Sequence, residues 1–175
     1  MKIFTILLIF STLTLSGQDV EYKYWILQQK LPDWSVKKFE ELSLGDKYLI
    51  SDFINPFYLE QDFNGDNKPD VAVAIIQKDS EKKGILIIHH SKSEYFIIGA
   101  GTKFINDSDD LNWMDIWKIS WEQNVEELIY NDTTQELDSK YINIKYPCLD
   151  IKKSESSSGL IYWDGKKYKW AQTSD

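Results

Sequence analysis

The sequence predicts an α+β domain, mostly antiparallel β, with one N-terminal helix packed on a sheet of about seven or eight short strands. Three observations predict it. Short β-branched runs such as VAVAIIQ (71–77) and ILIIHH (85–90) are bounded by Asp, Lys, Ser and Gly. The connections between such runs are short, which suits antiparallel pairing better than crossover helices. Helical spacing is confined to one segment near the N-terminus. With 42% hydrophobic and 14% aromatic residues in a chain of 175, there is enough apolar material for a packed core without disulfides.

Taken in order, residues 1–17 open with Lys2, an apolar stretch from Ile3 to Leu15 softened by Thr and Ser, and then small residues at Ser16 and Gly17. A charged start, an apolar run of about 13 residues and a small-residue cleavage site make a signal peptide, since spanning a bilayer takes roughly 20. The expectation is an exported protein, periplasmic or extracellular, that begins near Gln18 and keeps no stable membrane insertion. Residues 18–175 are then read as a single β-rich domain.

Asp19 is placed to cap a helix running to Lys30, and Pro32 to end it. Tyr22, Trp25, Ile26 and Gln29 fall on one face of that helix. Beyond it, Trp34 to Phe39 and Phe57 to Phe63 alternate in part and read as weak strands. The runs at 71–77 and 85–90 are stronger, and Glu94 to Ile98 is a further candidate. Tyr141 to Tyr146 alternates, with Ile142 and Ile144 on one face. Leu160 to Trp163 and Lys167 to Trp170 flank Asp164-Gly165, a hairpin signal because both residue types accept positive φ. Trp113, Trp117 and Trp121 are spaced by four, which does not separate helix from strand. They are read as core in preference to an exposed aromatic platform.

The formal net charge is −8, and all 20 basic residues are Lys. Without Arg the chain lacks the forked donor that best grips phosphate, and it has no basic footprint for nucleic acid. Cys148 is the single cysteine, so no internal disulfide can form, and its apolar neighbours point to burial. His89 and His90 are adjacent in a β run and must face opposite ways, so they cannot chelate one ion together. No HExxH spacing, G-x-S-x-G elbow or phosphate loop occurs. Gly99-Ala100-Gly101 reads as a tight turn.

The chemistry is concentrated in residues 62–70, Asp62-Phe63-Asn64-Gly65-Asp66-Asn67-Lys68-Pro69-Asp70. Side-chain oxygens occupy its first, third, fifth and ninth positions. Ca²⁺ takes about six to eight oxygen ligands, and a curled loop can aim alternate residues at one point. Asp62, Asn64, Asp66 and Asp70 would give side-chain oxygens, and Lys68 its backbone carbonyl. Gly65 permits the bend, and Asn67 tolerates left-handed backbone. Three carboxylates so close repel one another unless a cation sits among them. An EF-hand is excluded because its twelfth position, the bidentate Glu, is Val73 here.

This strand–DxNGDxxxD loop–strand pattern resembles the FG-GAP/VCBS type of repeat over one unit, residues 57–90. The resemblance implies a calcium site at Asp62, Asn64, Asp66, Lys68 and Asp70. The closing run, 155–175, is similar to the C-terminal hairpin of small exported bacterial proteins with a solitary repeat of this kind. No second DxNGD loop occurs, and the chain is too short for a propeller, so the adhesive functions of multi-blade relatives do not carry over. The functional expectation is a non-catalytic exported domain with a structural Ca²⁺, binding a protein or glycan. The alternative is an exported hydrolase whose carboxylates meet only in the fold. Two facing carboxylates in a pocket away from 62–70 would favour it.

Overall fold

The computed structural model describes residues 16–131 and 136–174. The leader expected over 1–17 lies outside the described residues except for Ser16 and Gly17, which open helix α1 (Ser16–Gln28). Helix α2 (Asp33–Glu41) and a short 3₁₀ turn (Leu44–Asp46) follow. The described strands are β1 (Tyr48–Ile50), β2 (Tyr58–Gln61), β3 (Asp70–Gln77), β4 (Lys83–Ile88), β5 (Tyr95–Gly99), β6 (Ile116–Ser120), β7 (Asn124–Asn131), β8 (Glu136–Asn143), β9 (Cys148–Lys152), β10 (Ser158–Trp163) and β11 (Tyr168–Ser174). Every described pairing is antiparallel. The class is the expected one, with eleven strands in place of seven or eight and two short helices in place of one.

Three layers stack on one another. The first sheet runs β1-β3-β4-β5, and β2 pairs with the same strand as β1, further along it. One face of this sheet, with Val71, Val73, Ile75, Leu86 and Ile88, packs on the helices through Leu27, Leu31, Phe39 and Leu44. The other face, with Ala72, Ala74, Ile85 and Ile87, packs on the second sheet, β11-β10-β9-β6, through Trp117, Leu149, Ile151 and Ile161. Because β3 and β4 are covered on both sides, their continuous apolar runs are what burial demands. The β7–β8 ribbon lies on the outside of the second sheet, where Val125 and Ile144 bury against Cys148 and Leu160.

The differences from expectation have physical causes. Trp34 to Phe39 is helical, not extended: Pro32 sits at the N-cap with φ −57°, and Ser35 and Phe39, one turn apart, are the buried pair. The partial alternation was produced by charges on the outer face, including the Lys37–Glu41 pair at 3.8 Å. In α1 the expected inward face is the outward one, since Tyr22 and Trp25 are 61% and 55% exposed and Leu27 is buried. Strands β7 and β8 form an exposed ribbon with Ile129, Tyr130, Leu137 and Tyr141 turned to solvent, so neither shows clean apolar–polar alternation along its whole length, and β8 begins earlier than the expected segment at Tyr141. Trp117 is buried and its indole donates to the Pro56 carbonyl at 2.6 Å. Trp113 is half-buried at the core margin and Trp121 is 67% exposed. The three share no face, because β6 holds only the middle one.

Several local expectations are met. Gly165 turns the β10–β11 hairpin at φ +99°, and Asp164 Oδ1 accepts the Lys166 and Lys167 N–H groups at 2.8 and 2.9 Å. His89 faces the second sheet while His90 faces the helices, stacked on Trp34 with ring centres 4.2 Å apart. Cys148 is buried.

Candidate functional site

The Asp-rich segment is the connection between antiparallel β2 and β3, beginning one residue after Gln61 and ending on Asp70, the first residue of β3. Its shape is written by its own side chains. Asp62 Oδ1 accepts the N–H groups of Gly65 and Asp66 at 2.7 and 3.1 Å, and its Oδ2 accepts that of Asn67 at 2.9 Å. Asn64 Oδ1 accepts the Asp66 N–H at 2.9 Å, and Asp66 Oδ1 that of Lys68 at 2.9 Å. Gly65 and Asn67 hold φ of +79° and +64°, the two places where left-handed backbone was expected. Phe63 points the other way and is fully buried between the sheets, which nails the loop to the core.

Asp70 is the buried member of the set. Its Oδ2 accepts the Phe63 N–H at 3.1 Å and its Oδ1 the His90 N–H at 2.9 Å, joining the loop to the end of β4. Burial pushes its carboxyl up to about 7 against those two hydrogen bonds, and the charges of Asp66 and Asp62 add to the rise. Burial also raises Asp66, but hydrogen bonds from Ser91, the Lys68 N–H and Asn64 outweigh it and hold Asp66 below the usual range.

Two neighbours had no local signal in the sequence. Lys38, on α2, donates its ammonium to the carbonyls of His89 and Lys92 at 2.6 Å each and also to that of His90. Burial lowers its pKa, and the fields of Asp70, Glu41 and Asp66 oppose that. Tyr146 lays its ring over Gly65, with Lys145 Nζ on that ring at 5.0 Å. Both arrive from outside the 57–90 unit, so only the tertiary fold brings them to the loop.

The structure therefore brings Asp62, Asn64, Asp66 and Lys68 into one hydrogen-bonded turn and sets Asp70 beneath it. The donors are hard oxygens of the kind Ca²⁺ takes. Among the described residues no three His, Cys, Asp or Glu side chains are gathered closely enough to enclose an ion as they stand, and the Asp70 oxygens face backbone donors.

Behind the loop, His89 is buried, with Nε2 2.8 Å from the Tyr168 hydroxyl and Nδ1 3.7 Å from Glu94 Oε2. Phe96, Trp163 and Tyr168 surround its ring with centroids 5.0–5.7 Å away. Burial lowers its pKa, so it is held neutral, with Glu94 and Asp66 pulling the other way. Tyr168 is raised well above its ordinary value by burial and by Asp70 and Asp62, which makes it a donor rather than a phenolate nucleophile. The open cleft beside this cluster, about 530 Å³, carries one carboxylate, Glu94. A second, about 750 Å³, carries Glu127 among four lysines. Two smaller ones, about 280 and 220 Å³, are lined without carboxylates. Facing carboxylates of a glycosidase kind occur in none of these four clefts.

Comparison with protein-family models, with curated proteins and with solved structures returned no match.

Proposed function

We propose that this chain is a non-catalytic exported β domain in which residues 62–70 hold a structural Ca²⁺, and that the domain binds another macromolecule. The observation that supports the ion most directly is the placing of Asp62, Asp66 and Asp70 in one short connection whose two ends are paired strands of the same sheet. Asp62, Asn64, Asp66 and Asp70 would hold the ion through side chains and Lys68 through its carbonyl. The ion supplies charge neutralisation only. Asp62 would continue to shape the turn through its three N–H partners, while Phe63 and Asp70 transmit that shape to the core and to the end of β4. Fixing this connection fixes how β2 lies on β3.

The test is the melting temperature of the purified protein in excess EGTA and in millimolar Ca²⁺, with Mg²⁺ as control. An ion that binds only the folded state raises the midpoint once its concentration exceeds its dissociation constant. The reading requires a rise with Ca²⁺ and little with Mg²⁺. An unchanged midpoint would reduce the loop to a self-capped turn.

A further inference from the structure

Strand β8 is the outer edge of the β7–β8 ribbon, and no described strand pairs along its far side. An open strand is a template for another chain unless its side chains forbid the pairing. Every residue of β8 is exposed except Ile142, which is half-buried. Leu137 and Tyr141 leave 56% and 73% of their surface to solvent, a large exposure for apolar side chains on a strand. Asp138 and Lys140 alternate with them, one on each side of Ser139. The Ser139 N–H donates to the adjoining Asp138 Oδ1 at 2.8 Å, so a side chain of the same strand does what a neighbouring strand could do. Only the base of the ribbon is anchored in the core, and a two-stranded ribbon is marginal by itself.

We infer that β8 pairs with β8 of a second copy of this chain, antiparallel about a two-fold axis through Ser139. That register sets Asp138 opposite Lys140 of the second copy and Leu137 opposite its Tyr141, and the symmetry makes each pair twice. Opposite charges and apolar side chains facing one another across a strand pair both favour it. The two nearest registers that keep the faces matched are opposed by charge. An axis through residue 138 puts Asp138 against its own copy, and an axis through residue 140 does the same to Lys140; like charges directly opposite destabilise a pair. Lys140 already meets Glu127 at 3.1 Å across the ribbon, and its ammonium has three donors. Pairing therefore extends a row of alternating charge from Glu127 through Lys140 to Asp138 of the second copy. On the other face Tyr130, the cross-strand partner of Leu137, joins a row that continues into Tyr141 of the second copy. Two marginal ribbons become one four-stranded sheet. The contact is small beside that of a permanent dimer, so association is weak and concentration-dependent. It is independent of the proposed Ca²⁺ and of any further partner.

The experiment is sedimentation equilibrium of the purified protein in EGTA, over a concentration series that reaches the millimolar range. The parent should pass from monomer to dimer. Asp138→Lys and Lys140→Asp should each weaken self-association on the order of tenfold, because each sets like charges opposite one another twice. An equimolar mixture of the two variants should dimerise again, since positions 138 and 140 are both positive in one and both negative in the other. Ser139→Cys reads the axis without using charge. Residues directly opposite in an antiparallel pair have Cα atoms about 4.5–5.5 Å apart, within disulfide reach. Oxidation with copper-phenanthroline should cross-link that variant and leave Asn143→Cys, four residues from the axis, uncross-linked. Cys148 is buried and does not compete. A parent that stays monomeric throughout overturns the inference. So does a dimer indifferent to both charge reversals, as stacking of the exposed apolar faces would be. Failure of the mixed variants to pair, or of Ser139→Cys to cross-link, overturns it as well.

Discussion

Tyr146 occupies the space that any side chain on Gly65 would need, and its ring would collide with a Cβ placed there. Gly65 is thus fixed twice, by its φ of +79° and by a ring arriving from the far side of the chain. Gly65→Ala should cost roughly 2–4 kcal/mol in urea unfolding, from backbone strain plus overpacking. Adding Tyr146→Ala should recover the overpacking share and leave the strain. If the double variant recovers nothing, the ring is not what confines the loop.

Asp66 and Lys68 give a sharper test of the ion. Asp66→Ala removes a carboxylate, whereas Lys68→Ala keeps the carbonyl that the proposed coordination uses. Calorimetric titration with Ca²⁺ should show a large affinity loss in the first and near-parent affinity in the second. Equal affinities would remove this ligand scheme.

Lys38 caps three carbonyls at the end of β4 with one ammonium. Lys38→Met leaves those carbonyls without their charged donor and should cost about 1.5–3 kcal/mol. It also removes a positive charge felt by Asp70 and Asp66, so calcium affinity should rise while stability falls. A fall in both would mean that Lys38 holds the loop together more than it screens it.

The pH dependence has two opposed contributions. Asp70 titrates at about 7 in the fold and near 3.9 when unfolded, so between those values the native state binds more protons. Its ionisation therefore lowers stability as pH rises through that window, by up to about 1.4 kcal/mol per pH unit. His89 is lowered by burial. The unfolded chain takes up that proton first, and stability falls as pH drops below about 6.5. In calcium-free protein, Asp70→Asn should remove the loss on the alkaline side even where it lowers absolute stability. His89→Gln should remove the loss on the acid side. Urea midpoints from pH 5 to 8 check both.

What the sequence made legible was what depends on near neighbours. The turn at 62–70 could be read because Asp62, Asn64 and Asp66 bond to N–H groups within five residues, and Gly65 and Asn67 are the residue types that left-handed backbone favours. The buried runs of β3 and β4 were equally plain. Lys38 and Tyr146 could not be read, because they reach the loop through the packing of α2 and of the chain before β9. Of the β7–β8 ribbon only the end of β8, at Tyr141 to Asn143, lay in a segment with a legible pattern, since an exposed two-stranded ribbon has only its base to bury. The helix at Asp33–Glu41 was hard to read because Pro32, which cannot continue the first helical segment, is also the N-cap of the second, and Pro is a common way to begin a helix.

Cys148 lies under the base of the β7–β8 ribbon, in contact with the cluster of Val125, Ile144 and Leu160. Its thiol is pushed up to about 12 by burial and is the only sulfhydryl in the chain. Any thiol-directed dye must wait for the ribbon to lift before it can react. The rate of that single labelling event is therefore a clock for one specific opening of the molecule. It can be timed without unfolding the rest and compared with and without Ca²⁺.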